Sequence, residues 1–155
     1  MTKVYLGLGS NLGNKESNLH LSIEKIKERI GKVISLSAFY ASEPWGFESD
    51  NSFLNAAVCV ETVLSPLVLL EEIQKIEKEM GRTKKSLGGV YNDRLIDIDI
   101  LFYGNLIIRS EKLSVPHPLI KERSFVIIPL NEIAPELIEP ETGKTIRTLC
   151  NEISL

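Results

Sequence analysis

The sequence predicts an α+β fold, a ferredoxin-like β-α-β-β-α-β sandwich with a C-terminal extension. Three observations predict it. Two stripes of helical period alternate with runs of β-branched and aromatic residues, in the order strand, helix, strand, strand, helix, strand. A glycine stands where each stripe ends, Gly31 and Gly81. The chain has 155 residues, 43% of them hydrophobic and 25% charged, enough for one core and too few for a second.

Lys3 to Leu8 reads as the first strand, ended by the turn Gly9-Ser10-Asn11-Leu12-Gly13. Leu19, Ile23, Ile26 and Ile30 then form one face of a helix that Gly31 stops. Val33 to Ala41 is β-branched and aromatic, which predicts a second strand. Pro44, Gly46, Asp50 and Asn51 make residues 42–52 a loop, and Phe53 to Thr62 is the third strand. Ser65 and Pro66 are a capping residue and a first-turn proline. The helix they open carries the stripe Leu69, Ile73, Ile76 and Met80, and Gly81 ends it. Residues 81–93, rich in glycine and basic groups, read as a mobile loop. Leu95 to Phe102 is the fourth strand, and Gly104-Asn105 turns it into a short fifth, Leu106 to Ile108. Pro116, Pro118, Pro129, Pro135 and Pro140 divide the remainder into short pieces.

Eighteen Lys and Arg against 21 Asp and Glu give a net charge of −3. Such a chain lacks the basic face that duplex nucleic acid requires, so no nucleic-acid partner is expected. A bound polyanion must be small and met by a local cluster of positive charge. Cys59 lies in an apolar run that reads as a buried strand, so Cys59 and Cys150 read as free thiols rather than a disulfide. There is no Cys-x-x-Cys, and the histidines are His20 and His117, which gives no zinc site. No apolar stretch is long enough to span a bilayer, and the N-terminus enters a strand pattern without a signal-peptide core. A monomeric cytoplasmic protein, one domain over residues 1–155 and free of membrane, is expected.

The segment Asp93-Arg94-Leu95-Ile96-Asp97-Ile98-Asp99-Ile100-Leu101 carries the most chemical information. Residues two apart in a strand share a face and lie roughly 6.6 Å apart. Asp97 and Asp99 therefore face one way, and Ile96, Ile98 and Ile100 face the core. Two adjacent carboxylates repel, a repulsion that a hard cation such as Mg²⁺ removes. The plain alternative is a solvated edge strand. Arg82, Lys84, Lys85 and Arg94 lie just before this strand, with Arg123 further on. Guanidinium groups beside metal-binding carboxylates are the parts a nucleoside triphosphate needs, although a solvated loop would carry the same charges.

Gly7, Gly9 and Gly13 match neither the dinucleotide fingerprint, which would place a glycine at Leu12, nor a P-loop, because Gly13 is followed by Asn14 and Lys15. They read as a tight turn with backbone close to a ligand. Asn55 stands beside Phe53, after a loop holding Trp45. An amide near aromatic faces suits a flat heterocycle, while aromatics alone are as easily core. His117 lies between Pro116 and Pro118, as a structural residue or a phosphate contact.

These residues together resemble the 6-hydroxymethyl-7,8-dihydropterin pyrophosphokinases of folate biosynthesis. The resemblance spans nearly the whole chain. It rests on Gly9-Ser10-Asn11-Leu12-Gly13, Phe53-Leu54-Asn55-Ala56-Ala57-Val58, Ile76-Glu77 before Gly81-Arg82, and Arg94-Leu95-Ile96-Asp97-Ile98-Asp99-Ile100-Leu101. It continues through Val115-Pro116-His117, Arg123-Ser124-Phe125 and Pro129-Leu130. It implies transfer of pyrophosphate from ATP to the pterin's hydroxymethyl group, with release of AMP. It implies Asp97 and Asp99 as ligands of two Mg²⁺ ions, and Arg82 and Arg94 as groups that stabilise charge on the phosphates. It implies Asn55 on the pterin edge, Phe53 and Phe125 about its ring, and Ser42, Glu43, Trp45 and Tyr91 around it. It implies Gln74, Glu77, Lys84, Ile100, Lys112, Ser114, His117 and Arg123 along ATP, with loop 81–93 closing over it. Tyr91-Asn92-Asp93 replaces the family's frequent Trp-Gly-Pro, and Lys84 and Lys112 stand where arginine is common, a point charge in place of a fork. Two other readings stand beside this one: a Mg²⁺-dependent phosphotransferase that releases ADP, and a catalytically silent ligand-binding domain.

Overall fold

The computed structural model describes residues 1–43, 52–81 and 95–153. Strand β1 (Thr2–Ser10) leads into helix α1 (Lys15–Arg29), β2 (Gly31–Leu36), β3 (Tyr40–Ser42) and β4 (Phe53–Thr62). Helix α2 (Pro66–Glu79) returns the chain to β5 (Asp97–Tyr103), followed by β6 (Ile108–Arg109) and β7 (Ser114–Val115). A 3-10 turn, Ile120–Glu122, precedes helices α3 (Ser124–Ile133) and α4 (Ile146–Glu152). The main sheet runs β2-β4-β1-β5 with antiparallel neighbours, and β3 also pairs with β4. This is the ferredoxin-like order that the sequence predicts.

Alternation along the strands builds two cores, one on each face of the sheet, where the chain length predicted one. Val4, Leu6, Leu8, Val58, Val60, Ile98 and Ile100 face α1 and α2, meeting Leu19, Ile23, Ile26, Leu69, Ile73 and Ile76. The opposite face meets the C-terminal extension, where Ala57, Leu101 and Phe102 pack on Val126, Ile127 and Leu130 of α3 and on Ile146 and Leu149 of α4. The extension is therefore a third layer rather than a run of short pieces. Pro129 lies inside α3 and does not divide it. An interior proline gives up one N–H and costs about 3 kcal/mol, which burial of an apolar helix face offsets.

Strand β1 runs on through Gly9 and Ser10, which the sequence reading gives to the turn, because both pair with β4. Three further boundaries differ from the sequence reading. The predicted second strand is two strands, because Ser37 turns inward and exchanges bonds with β4: its N–H donates to Ala57 O and its Oγ accepts from Ala57 N, each at 2.9 Å. Gly31 begins β2 rather than merely stopping α1. It sits opposite Thr62, where a Cβ would lie 1.9 Å from Glu61 O, so strand contact requires a glycine there. The short fifth strand is shifted to Ile108 and Arg109, leaving Leu106 and Ile107 exposed. Gly81 does end α2, with φ of +106°. Cys59 and Cys150 are free thiols, as expected. Among the described residues no helix is long and apolar enough to cross a membrane.

Candidate active site

The site lies where α3 stops covering its face of the sheet. Register aligns Asn55, Gly9 and Asp97 in one row across β4, β1 and β5, and Ala57, Gly7 and Asp99 in the next. Two strand spacings separate the ends of each row, roughly 10 Å. Glycines occupy the middle of both rows and leave an open floor between the amide and the carboxylates. A Cβ on Gly9 would lie 3.3 Å from Asn55 Oδ1 and 3.4 Å from Phe53 Cδ1. Over this floor opens a cleft. Ser42, Glu43, Phe53 and Asn55 line one side, Arg123 and Phe125 the other, and Asp97 and Asp99 the far end.

Asn55 is buried, and its Nδ2 donates to Tyr40 O at 3.2 Å and to Ser42 Oγ at 2.7 Å. Both amide protons are thereby engaged, which fixes the orientation and turns Oδ1 toward Gly9 and the cleft. Such an acceptor, in a cleft that Phe53 and Phe125 also line, matches the edge of a flat heterocycle that carries N–H donors.

Asp97 and Asp99 are half-buried, while Ile96, Ile98 and Ile100 on the opposite face are buried in the core, as the alternation predicts. Between the two aspartates, the N–H of Ile98 donates to Glu77 Oε2 at 2.9 Å. Glu77 is buried on α2, so it acts on the acidic strand from behind. Arg123 is also buried, with Nη1 3.8 Å from Asp99 Oδ2 and its guanidinium 5.7 Å from the Phe125 ring centre. Among the described residues no third His, Cys, Asp or Glu joins the pair as a metal cluster. Two carboxylates suit Mg²⁺, which commonly takes one or two protein oxygens and fills its shell with phosphate and water.

Asp99 also borders a second hollow, with Ile100, Lys112, Ser114 and His117. Lys112 continues it into a third, beside Gln74. A continuous path thus leads from the amide, past the carboxylates, to an outer end where Lys112 stands with Glu71, Gln74 and Glu111. His117 is half-buried, and burial followed by the positive field of Arg123 lowers its pKa to about 4, with Asp97 pulling weakly the other way. Its Nδ1 accepts from Leu119 N at 3.2 Å, so the neutral ring carries its proton on Nε2.

Of the residues the sequence singles out, Ser42, Glu43, Phe53, Asn55, Asp97, Asp99, Arg123 and Phe125 share the first cleft. Ile100, Lys112, Ser114 and His117 line the adjoining hollow, and Gln74 the third. Trp45, Arg82, Lys84, Lys85, Tyr91 and Arg94 lie outside the described residues, as does most of loop 81–93. Sequence reasoning missed Arg109, whose Nη1 donates to Ser114 Oγ at 2.8 Å and to Pro116 O at 2.9 Å while Nη2 meets Glu141. It also missed Tyr40 and Glu132. These residues carry no motif, and pairs far apart in sequence leave no local signal.

A ferredoxin-like sheet with an acidic pair between an amide-and-aromatic cleft and a polar path holding Lys112, Ser114 and His117 has the makeup of a transferase acting on small phosphorylated substrates. Residues 5–135 match the sequence model of the 7,8-dihydro-6-hydroxymethylpterin-pyrophosphokinase (HPPK) family. The chain is 49% identical over 138 residues to a 2-amino-4-hydroxy-6-hydroxymethyldihydropteridine pyrophosphokinase of Porphyromonas gingivalis, covering 88% of this chain and 94% of that one. It is 42% identical over 155 residues to the Aquifex aeolicus protein of the same name, covering 100% and 94%. A crystal structure of an HPPK-DHPS in complex with substrates superposes with a TM-score of 0.78 at 18% identity, over 97% of this chain and 43% of that one, which shows the shared fold. The chain belongs to the 7,8-dihydro-6-hydroxymethylpterin-pyrophosphokinase family. It is a pyrophosphokinase of folate synthesis, and so a transferase.

Proposed function

We propose that the chain transfers the β,γ-pyrophosphoryl group of ATP to the hydroxymethyl oxygen of 6-hydroxymethyl-7,8-dihydropterin and releases AMP. In this reading it works as a monomer in the cytoplasm, as one domain over residues 1–155. The two free thiols suit that compartment. The observation that supports the reading is the row Asn55–Gly9–Asp97, with Asp99 in the next row, which puts a buried amide and the acidic pair on one floor.

Asn55 accepts from the pterin edge, and Phe53 and Phe125 hold the ring. The hydroxymethyl arm then extends over Gly9 toward Asp97. ATP follows the path from Asp99 to Lys112, Ser114, His117 and Gln74. The alcohol oxygen forms its bond to the β-phosphorus as the bond to the α-phosphate oxygen breaks, and the hydroxyl proton leaves toward Asp97. Two Mg²⁺ ions held by Asp97 and Asp99 would neutralise phosphate oxygens and lower the barrier to in-line attack. Arg123 adds a fixed, buried positive charge at the junction of the two hollows. Its pairing with Asp99 keeps that carboxylate oriented when ATP is absent. The resemblance assigns Arg82 and Arg94 to the phosphates, Trp45 and Tyr91 to the pterin, and Lys84 to ATP. Little of this needs a strong base; alignment and charge neutralisation dominate.

Incubation with MgATP and the dihydropterin, followed by resolution of the nucleotides, tests the proposal. AMP in step with pterin consumption is the expected product. ADP instead would establish a single phosphoryl transfer, and binding of both substrates without turnover would establish a silent domain.

A further inference from the structure

The two walls of the heterocycle slot belong to different parts of the fold. Phe125 sits in the first turn of α3, whereas Asn55 and Ser42 belong to β4 and β3. Strand β3 has three residues, and its sheet partner is β4. A tether links this short strand to α3. Glu132, near the end of α3, accepts from Ala38 N with both carboxylate oxygens at 3.1 Å, and its Oε1 accepts from Tyr40 Oη at 2.5 Å. The carbonyl of the same Tyr40 accepts from Asn55 Nδ2. Two hydrogen bonds, joined by Tyr40 itself, therefore run in series from α3 through the Tyr40 side chain and its carbonyl to the amide that faces the cleft.

We propose that Glu132 and Tyr40 are positioning residues for the heterocycle substrate. They set the spacing between the Phe125 wall and the Asn55 wall, and through Tyr40 O they hold the Asn55 amide in its binding orientation. The inference rests on assigning this cleft to the pterin. Two features support a role beyond packing. Glu132 is exposed, where hydrogen bonds add little net stability, yet it makes three of them to one short segment. The bonds also all fall on the segment that supports Asn55, and none on the residues of the ATP path. The tether should therefore act on one substrate and spare the other. The bond to Glu132 further keeps the Tyr40 phenol protonated, by raising its pKa.

The test uses the full chain with Tyr40→Phe, Glu132→Ala, Glu132→Gln and the double variant Tyr40→Phe/Glu132→Ala. Steady-state AMP formation gives KM for each substrate, and fluorescence titration with oxidised 6-hydroxymethylpterin gives an affinity independent of turnover. Tyr40→Phe and Glu132→Ala should each raise the pterin KM and dissociation constant by about five- to tenfold, with the ATP KM within about twofold. The double variant should be no worse than the worse single, because both cut one chain of links. Glu132→Gln, which keeps an acceptor for Tyr40, should recover most of the pterin affinity. Pterin affinity unchanged in Tyr40→Phe would overturn the inference. So would equal losses for both substrates, or additive losses in the double variant. If Glu132→Ala does not fold, Tyr40→Phe, which keeps the ring, decides alone. Failure of the unaltered protein to form AMP would instead strike the assignment of the cleft, so the two failures are distinct.

Discussion

Replacing His117 with glutamine should flatten the acid limb of the protein's stability curve. In the folded chain, burial and the Arg123 guanidinium hold the imidazole pKa at about 4, against 6.5 for a free histidine. As pH falls below 6.5, the unfolded chain takes up a proton that the folded chain refuses. The contribution of His117 is therefore fully present above 6.5, declines as pH falls toward 4, and levels off below that. With these two values, proton linkage gives a loss of about 2 kcal/mol between pH 7.5 and pH 5. At a urea m-value of about 2 kcal/mol/M, that moves the unfolding midpoint by about 1 M. Glutamine offers Leu119 N an amide acceptor in place of Nδ1 and removes the titration. Urea unfolding of both proteins at half-unit steps from pH 7.5 to 5 measures the effect, and their difference cancels every group the two share. The midpoints should converge, or cross, as the pH drops. Parallel curves would refute the reasoning, because His117 would then take up its proton equally readily in both states.

Asp97→Asn and Asp99→Asn should each reduce kcat by about 100-fold or more at saturating Mg²⁺, since each removes a charged oxygen ligand while leaving the buried isoleucine face intact. Single-turnover AMP formation checks this, and near-normal rates in either variant would remove the metal assignment. Asn55→Ala should weaken pterin binding by about 10-fold or more and ATP binding by less than about threefold, because the amide acceptor is lost only at one end of the cleft; calorimetric titration of each ligand separates the two. Gly31→Ala should destabilise the fold by about 2–4 kcal/mol, since its Cβ would fall 1.9 Å from Glu61 O in a paired strand. Thermal unfolding reads that loss, and an unchanged midpoint would mean that β2 and β4 can separate there without penalty.

Local pattern made the central sandwich legible. Phe53–Thr62 is a strand with the bounds the sequence predicts, and α2 begins at Pro66 and gives way to Gly81 as its punctuation implies. The alternation around Asp97 and Asp99 also sorts the two faces of β5 correctly. What was hidden depends on distant partners. Pro129 argues against a helix until Val126, Ile127 and Leu130 are seen to bury themselves on the sheet. The break at Ser37 follows from bonds to Ala57, twenty residues away. Glu77 is legible as a residue of the site's neighbourhood, yet its bond to Ile98 N could not be read from spacing. The Glu132 tether spans 92 residues and leaves no sequence mark at all.

The placement of the site follows from how the second face of the sheet is divided. Toward one end, α3 and α4 roof the strands, and Ala57, Leu101 and Phe102 are core there. Toward the other end the roof stops at Arg123 and Phe125, and the same face presents Phe53, Asn55, Gly9 and Asp97 to the cleft. Polar and charged residues on mid-sheet positions would ordinarily destabilise strands. Here each is compensated locally: Asn55 by β3, Asp99 by Arg123, and the strand between the aspartates by Glu77. The compensating groups come from β3, α3 and α2, so three elements fix the site from three sides of one floor. That arrangement explains how a chain of net charge −3 can meet a triphosphate. In the proposed reading the charge balance of the whole molecule matters less than a carboxylate pair that would hold cations and a buried arginine beside it. In the proposed reading both substrates lie along one sheet face and its margin. Preorganisation of this kind is stored in backbone register, which substitutions in the walls can tune and only strand-breaking changes can abolish.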